Sequence, residues 1–262
     1  MLSAERKQVV GVVGPSVTGR VAAVLAAFGT EHSAMTLSEL SRRTALPLTT
    51  VHRLTGELTR HGLLERDDEQ RYRIGLRLWE IAATASRGVD LRDAAMPVLQ
   101  DLYGGTRANV QLAVLDGAEA IYLERLSGPD SVHIVTRPGS RLPVHASGVG
   151  LVLLAHAPVE VQDEVLAAPL ARYTRHTITD PKRLRRVLSD VRRDGFVISD
   201  RQIETISVSV AAPIRDRARH VVAAVSVVVE AGRSDPRSYV KAVKAAAAAI
   251  SRRLPILRHP GD

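Results

Sequence analysis

The amino-acid sequence predicts an α+β fold divided into two domains. Between Val17 and Leu58, apolar residues recur at helical spacing in three segments, and two strand-like segments follow at residues 63–66 and 71–75. Strand-like and helical segments alternate afterwards, and residues 220–230 (HVVAAVSVVVE) are apolar enough to form a central strand covered on both faces. The chain has 262 residues, which suffice for two ordinary domains. We therefore expect a small helical domain followed by an antiparallel sheet flanked by helices.

Composition excludes several kinds of chemistry. The sequence has no cysteine, so disulfides, cysteine–zinc sites and thiol nucleophiles are excluded. Residues 14–19 (GPSVTG) are similar to a phosphate loop, but Arg20-Val21 stands where Lys-Ser/Thr is required. We predict no cofactor and no metal site. The net charge of +8 permits an anionic partner, and the lack of a membrane-spanning apolar run or signal sequence predicts a cytoplasmic protein without membrane attachment.

Residues 36–62 have the pattern of a helix-turn-helix. Thr36 and Glu39 are spaced as a capping box, which predicts a first helix there. Leu46-Pro47 ends that helix, and a second helix begins near Thr49 and stops at Gly62. Apolar spacing turns one side of each helix inward, and the predicted inward residues are Leu37, Leu40, Ala45, Val51, Leu54 and Leu58.

Residues 63–75 predict a hairpin wing after the two helices. Residues 63–66 and 71–75 alternate like two strands around the polar turn Asp67-Asp68-Glu69-Gln70. A helix-turn-helix with such a wing is a common DNA-binding arrangement, in which the second helix enters the major groove. An ordinary helical hairpin with solvated charges has a similar pattern, so the pattern alone leaves both interpretations open.

The outward side of the second helix and the wing supply side chains suited to DNA. Hydroxyl groups bond phosphates or bases, and an arginine can bond a guanine edge through two parallel hydrogen bonds. Between Arg42 and Arg60 the sequence has four arginines and one glutamate. We predict DNA contacts from Arg42, Arg43, Thr49, Thr50, His52, Arg53, Arg66, Arg71 and Arg73.

Patterns after the wing predict a linker helix and the elements of the second domain. A helix over residues 76–87, ended by Gly88, either docks on its own domain or pairs two subunits. Further helices are predicted at 91–102, 181–193 and 236–254, the second with a basic, solvated face. Gly104-Gly105 is predicted to end the first of these helices and Gly195 the second. Asp116-Gly117 indicates a hairpin, and Val132–Val135 is a further candidate strand. The start of the helix after His145-Ala146-Ser147 has free backbone N–H groups that favour an anion.

Two sets of motifs resemble the isocitrate lyase regulator (IclR) family. In the first domain they are LPLTTVHRLTGEL, HGLLER and YRIG; in the second they are LERLSGP, RPGSRLPVHASGVG, DGFVISDRQIE and SVAAPIRDRARHVVAAVSV. The resemblance covers roughly residues 17–254. It implies a ligand-responsive transcriptional regulator, more often a repressor than an activator, that forms a homodimer or homotetramer and binds double-stranded DNA. It also implies that the second domain is similar to ligand-sensing GAF domains and binds a small organic acid.

The resemblance also assigns domain limits and effector contacts. The expected organisation is a flexible arm at 1–16, a winged helix-turn-helix at 17–75, a linker helix at 76–88, an effector domain at 89–256 and a tail at 257–262. The implied effector contacts are Ala146, Ser147, Ser199, Ser209 and Ser226. Hydroxyls on apolar strands need partners when buried, which a ligand carboxylate or nearby backbone can supply. His145 is interpreted as structural.

Two alternatives belong to other functional classes. A hydrolase would use Ser147, His145 and Asp200, but no G-x-S-x-G motif is present and no catalytic residue is predicted. A winged-helix module that binds a protein instead of DNA has the same helix pattern. Loss of DNA affinity in an Arg53→Ala variant distinguishes DNA binding from that second alternative.

Overall fold

The structure is a computed structural model that describes residues 16–29, 32–84 and 86–254. Its internal contacts divide the chain into two compact units, Met1–Ser86 and Arg87–Asp262. The arm predicted at 1–16 falls outside the described residues except for Ser16, and the tail predicted at 257–262 falls outside them entirely. Ser16 is the N-cap of the first helix, since its side chain accepts a hydrogen bond from the N–H of Gly19 at 3.0 Å.

The first unit consists of helices and a small sheet. In chain order its elements are α1 Val17–Ala26, β1 Ala34–Met35, α2 Leu37–Thr44, α3 Leu48–Arg60, β2 Leu64–Arg66, β3 Tyr72–Ile74 and α4 Leu76–Ala83. The three strands pair in the order β1-β3-β2, and β1, which residue patterns did not predict, extends the wing hairpin. The winged helix-turn-helix predicted from the sequence is therefore confirmed.

Local signals explain where α2 begins and ends. The Thr36 hydroxyl accepts the N–H of Glu39 at 3.3 Å, and the Glu39 carboxylate accepts the N–H of Thr36 at 2.8 Å. These two bonds complete the predicted capping box. The prediction that Ala45 turns inward is wrong, because Ala45 is an exposed left-handed residue at φ 55° that ends the helix. Leu46, the next residue, is buried instead.

The single linker helix predicted at 76–88 is wrong. Helix α4 ends at Ala83, and a separate helix, α5, spans Ser86–Thr106. Gly88 lies inside α5 and does not end a helix, and the predicted stop at Gly104-Gly105 also lies within it. Buried residues from Leu91 to Leu102 pack α5 on the sheet, so burial of one face outweighs the low helix propensity of these glycines.

The second unit contains a six-stranded antiparallel sheet and its flanking helices. Its further elements are β4 Asn109–Asp116, β5 Glu119–Leu126, β6 Arg141–Pro143, α6 Gly148–Ala155, α7 Val159–Ala167, α8 Pro181–Asp194, β7 Val197–Asp200, β8 Ser207–Arg215, β9 Val221–Glu230 and α9 Val240–Arg253, preceded by a 3₁₀ turn Pro236–Tyr239. The strand order is β6-β5-β4-β9-β8-β7. The predicted Asp116-Gly117 hairpin is confirmed by the pairing of Asp116 with Glu119. Residue patterns missed β6 and α7.

The sheet lies between two layers of helices. One face packs on α5 and α9 through a core that includes Leu99, Val225 and Ile250. The other face packs on α6, α7 and α8. Strand β9 is buried along nearly its whole length, which confirms the prediction of a central strand covered on both sides.

The prediction of a strand at Val132–Val135 is wrong, because residues 132–136 form a loop. Side chains of the sheet hold this loop in place. The Asn109 side-chain amide donates to the Val132 carbonyl at 2.7 Å. The Arg125 guanidinium donates to the Thr136 carbonyl at 2.6 Å. These side-chain contacts take the place of a strand ladder. We call residues 132–136 the cover loop.

Candidate functional site

The outward side of α3 carries the side chains predicted to contact DNA. Thr49, His52, Arg53 and Gly56 are exposed, and Thr50 is half-buried. The opposite side is fixed by Val51, Leu54, Thr55 and Leu58, which are buried against α1, α2 and the wing. Because the buried residues set the rotation of the helix, the five outward residues form one continuous surface. We call it the α3 surface.

Arg42 and Arg43 occupy different environments in the last turn of α2. Arg42 is exposed. Arg43 is half-buried, and its Nε donates to the Ala27 carbonyl at the end of α1 at 2.9 Å. This bond ties α2 to α1, so Arg43 has a structural role whether or not it also reaches DNA.

The wing arginines are held by neighbouring groups. Arg71 bonds Asp67 through Nε at 3.3 Å and Glu69 at 2.8 Å, and Arg73 pairs with Glu65 at 3.3 Å. The Arg66 guanidinium lies 5.4 Å from the centre of the Tyr72 ring. Exposed ion pairs contribute only about 0–1 kcal/mol each, so a phosphate can compete for these arginines at little cost.

A pocket in the second unit brings together four of the five predicted effector residues. Ala146, Ser147, Ser199 and Ser209 line it, together with Gly148 at the start of α6. A Cβ built on Gly148 would lie 2.5 Å from the Ser209 Oγ and 3.5 Å from the Ser199 Cβ, which shows how closely α6 approaches both strands. We call this the α6 pocket. Its cavity measures about 50 Å³, room for water but not for an aromatic ring.

Ser147 organises the start of α6. Its hydroxyl caps the helix by accepting the N–H of Gly150 at 3.2 Å and donates to the Pro143 carbonyl at 3.2 Å. The N–H groups of Gly148 and Val149 are in the first turn and have no acceptor within the helix. Because Ser147 and Gly148 line the pocket, the positive end of the helix dipole lies at its wall. The binding of an anion there stays a prediction.

The predicted lining role of Ser226 is wrong. Ser226 is fully buried in β9, and its Oγ donates to the Oε1 of Gln111 at 3.1 Å. Gln111 is paired with Ser226 in the sheet and lines the pocket in its place. The long Gln111 side chain covers the small serine, so Ser226 positions a pocket residue.

Sequence patterns missed six polar residues that line the pocket: Gln111, Tyr122, Thr136, Gln202, Glu204 and Ser207. The Gln111 side-chain amide bonds the Thr136 hydroxyl, and the Glu204 carboxylate accepts the N–H of Val135 at 3.3 Å. Burial raises the pKa of Tyr122 well above its usual value, so its hydroxyl stays protonated. The sequence contained one signal for these residues, a glutamine within the apolar strand β4. A buried amide requires hydrogen-bond partners, so Gln111 indicates other polar groups nearby.

The three residues of the hydrolase alternative have other partners. His145 Nε2 lies 3.0 Å from the Ala171 carbonyl, and both carboxylate oxygens of Asp200 are bonded by Arg201 at 2.8 and 2.9 Å. Ser147 bonds backbone groups only, apart from its contact with Tyr122. No hydrogen bond between described residues joins the three into a nucleophile–base pair.

Membrane-spanning helices and metal-binding clusters are both absent from the described residues. No helix in the described ranges is long and apolar enough to cross a membrane. Within the same ranges, no group of three or more His, Asp or Glu side chains is placed to hold a metal ion.

Comparisons with known proteins match both units. Residues 17–68 match the family described as IclR helix-turn-helix domain, and residues 83–252 match bacterial transcriptional regulator IclR C-terminal. The chain is 33% identical over 224 residues to the HTH-type transcriptional regulator KipR of Bacillus subtilis (strain 168), covering 84% of this chain and 90% of KipR. It is 30% identical over 206 residues to the HTH-type transcriptional repressor AllR of Klebsiella pneumoniae, covering 78% of this chain and 76% of AllR.

One solved structure has a fold similar to that of this chain. The crystal structure of an IclR homolog complexed with 4-hydroxybenzoate, from Microbacterium hydrocarbonoxydans, superposes with a TM-score of 0.87 at 40% identity, covering 91% of this chain and 99% of that one. Together the two family matches cover residues 17–68 and 83–252, which is more than half of the chain. The chain belongs to the IclR family of bacterial transcriptional regulators, with an amino-terminal helix-turn-helix and a carboxy-terminal ligand-binding domain.

Proposed function

We propose that this regulator is a homodimeric repressor that reads an operator with the α3 surface and releases it when a small organic acid binds the α6 pocket. The observation that carries the DNA part is the α3 surface itself. It presents two threonines, a histidine and an arginine on the exposed side of a helix whose other side is buried. Arg53 is the base-reading residue, and Arg66, Arg71 and Arg73 of the wing bind phosphates.

Helix α4 supports the homodimer. None of its residues is buried, even though several of them are apolar. The exposed apolar residues are Leu76 (63% exposed), Trp79 (66%) and Ile81 (50%). An apolar helix with no buried face requires a partner to remove it from water. A second copy of the chain is that partner, because winged readers of this kind bind two half-sites as dimers. The tetramer is a further assembly of such dimers.

The chemistry of the α6 pocket supports an organic acid. The N–H groups at the start of α6 favour a carboxylate, while Ser199, Ser209 and Tyr122 offer hydroxyls. The structural neighbour from Microbacterium holds 4-hydroxybenzoate, so aromatic hydroxy acids are the first class to test. Because the cavity is smaller than such a ring, binding requires the cover loop to move and breaks the contacts of Glu204 with Val135 and of Gln111 with Thr136.

Opening of the cover loop links the acid to DNA affinity. A ligand shifts an equilibrium only by its differential affinity for the two states. The acid binds the open state of the α6 pocket, so it favours whichever dimer arrangement accompanies that state. The relative AllR is a transcriptional repressor, which supports the proposal that this regulator represses transcription when no acid is bound.

The first test is fluorescence anisotropy of the full chain on the DNA upstream of its own gene, against a scrambled duplex at about 150 mM salt. A preference of about a thousandfold is expected for a sequence-specific regulator. Arg53→Ala is expected to cost about 1–3 kcal/mol on the true site and to relax its preference. The control is Arg60→Ala on the same helix, where Arg60 pairs with Glu57 at 2.9 Å. Its loss should be small.

The outcomes separate the alternatives. An equal loss of affinity on all duplexes for Arg53→Ala contradicts a base-reading role. Lack of preference across genomic fragments, with and without added acids, favours the protein-binding alternative. Addition of 4-hydroxybenzoate is expected to lower the affinity for the operator, and Ser209→Leu, which fills the α6 pocket, is expected to abolish that response without changing operator binding.

A further inference from the structure

A second and larger cavity lies at the outer edge of the sheet in the second unit. It measures about 300 Å³, which is within the range of cavities that hold small molecules. Strand β7 ends the sheet on this side. Its residues Ile198 and Asp200 form one wall, and α8 forms another. We call it the β7 cavity.

The lining combines an apolar floor with two arginines and a histidine. Leu151 and Val187 contribute the floor. Arg183 from α8, together with Arg175 and His176 from the segment before it, surrounds the opening. The Nε of Arg175 donates to the Nε2 of His176 at 3.2 Å, so the ring nitrogen serves as an acceptor there. Such a lining matches a molecule with an apolar body and a negative group.

The one acidic residue among the lining residues does not cancel this positive charge. Asp200 is bonded by Arg201 through both oxygens, and this hydrogen bond lowers the pKa of Asp200, so the pair is neutral as a unit. Arg183 forms no ion pair with any residue of the described ranges. The cationic groups at the opening therefore remain available to an anion.

The backbone of β7 adds hydrogen-bond donors on the same side. The N–H of Arg201 donates to the Ser207 carbonyl at 3.1 Å, and Ser199 is opposite Ser209 in the register. In an antiparallel ladder the bonded residues alternate, so the N–H groups of Ile198 and Asp200 point away from β8. They face the open edge, where the cavity lies.

We propose that the β7 cavity is a second ligand site, distinct from the α6 pocket, for a small carboxylate with an apolar body. Its carboxylate binds Arg183 and the free β7 edge, and its apolar part contacts Leu151 and Val187. Gln202 lines both cavities. Its side-chain nitrogen donates to the Ser199 Oγ at 3.1 Å, and its oxygen accepts the N–H of Ile178 at 3.1 Å. One buried side chain thus borders both cavities.

The test is ¹⁹F NMR titration of the full-length protein with 4-fluorobenzoate. We compare wild type with Arg183→Ala and with a matched control, Arg186→Ala, which removes an exposed arginine of α8 outside the lining. Arg183→Ala is expected to weaken one binding event about tenfold or more, the usual effect of losing a charge-assisted bond. Arg186→Ala should bind as wild type does. Melting temperatures confirm that both variants are folded.

A third variant separates this proposal from the proposed function. Ser209→Leu blocks the α6 pocket and is expected to leave the Arg183-dependent event intact. If the α6 pocket does not bind 4-fluorobenzoate, the titration of Ser209→Leu is the same as that of wild type. Loss of binding in Arg183→Ala then still supports the β7 site, although the proposed function has failed for this acid. Equal binding in Arg183→Ala and Arg186→Ala, or the absence of any Arg183-dependent event, overturns the proposal.

Discussion

If two copies of the chain pair through the exposed apolar helix α4, as proposed, their association depends strongly on one side chain, Trp79. A tryptophan side chain buries up to roughly 250 Å² in a complete interface, and Trp79 is 66% exposed in the single chain. Covering about two thirds of that area removes roughly 165 Å² from water. At about 25 cal/mol per Å², this is at most about 4 kcal/mol per protomer.

Only part of this free energy appears in an affinity, because association costs translational and side-chain entropy. We therefore expect Trp79→Ala to weaken the dimer by about 2–3 kcal/mol, which raises the dissociation constant roughly 30- to 150-fold. The substitution keeps a good helix former at an exposed position, so α4 itself should remain intact.

Sedimentation equilibrium measures the effect directly. The matched control is Val159→Ala in α7, because Val159 is 61% exposed but lies outside the proposed pairing surface. Trp79→Ala should also lower affinity for a duplex with two half-sites more than for one half-site. If its dissociation constant equals that of the control, α4 is not the pairing surface and the reasoning is refuted.

Three further predictions concern stability and pH. Thr36→Ala removes the capping contact with Glu39 and should lower the free energy of unfolding of the first unit by about 1 kcal/mol in urea; an unchanged midpoint would show that the cap is dispensable. Gly56→Ala adds a Cβ with no atom within 4 Å, so it should stabilise α3 by up to about 1 kcal/mol. The same Cβ should weaken DNA binding, and unchanged DNA affinity would argue against contact between DNA and the α3 surface. Burial lowers the pKa of His156 from 6.5, and the neighbouring Arg215 disfavours its charged form further. The stability that the neutral ring contributes is therefore present above the unfolded pKa of 6.5 and is lost as the pH falls from there through the lowered pKa of the folded state. His156→Gln should flatten the pH dependence of unfolding in this acidic range, and equal slopes would contradict this.

Signals confined to a few neighbouring residues were predicted well from the sequence. The capping box at Thr36, the hairpin at Asp116-Gly117 and the stop of α8 at Gly195 all occur in the structure. Each depends on hydrogen bonds or backbone angles within one turn, which the adjacent residue types determine. The outward side of α3 follows from the same kind of information, since the three buried apolar residues Val51, Leu54 and Leu58 at helical spacing fix the rotation of the helix.

Predictions failed where packing elsewhere decided the outcome. The apolar periodicity of residues 76–87 continues past the break after Ala83, so it could not reveal that α4 ends there. Val132–Val135 has strand-forming residues but is held as a loop by Asn109 and Arg125, which are distant in sequence.

The sequence by itself determined the family and the helix-turn-helix, because these depend on motifs and local spacing. Only the tertiary structure decided which polar groups face the α6 pocket. Gln111 covers Ser226, while Tyr122 and Glu204 reach the pocket from other elements. It also revealed the β7 cavity, whose walls come from α6, α8 and β7. The side chains that line a cavity are brought together by packing between segments far apart in the chain, and no local pattern records that packing.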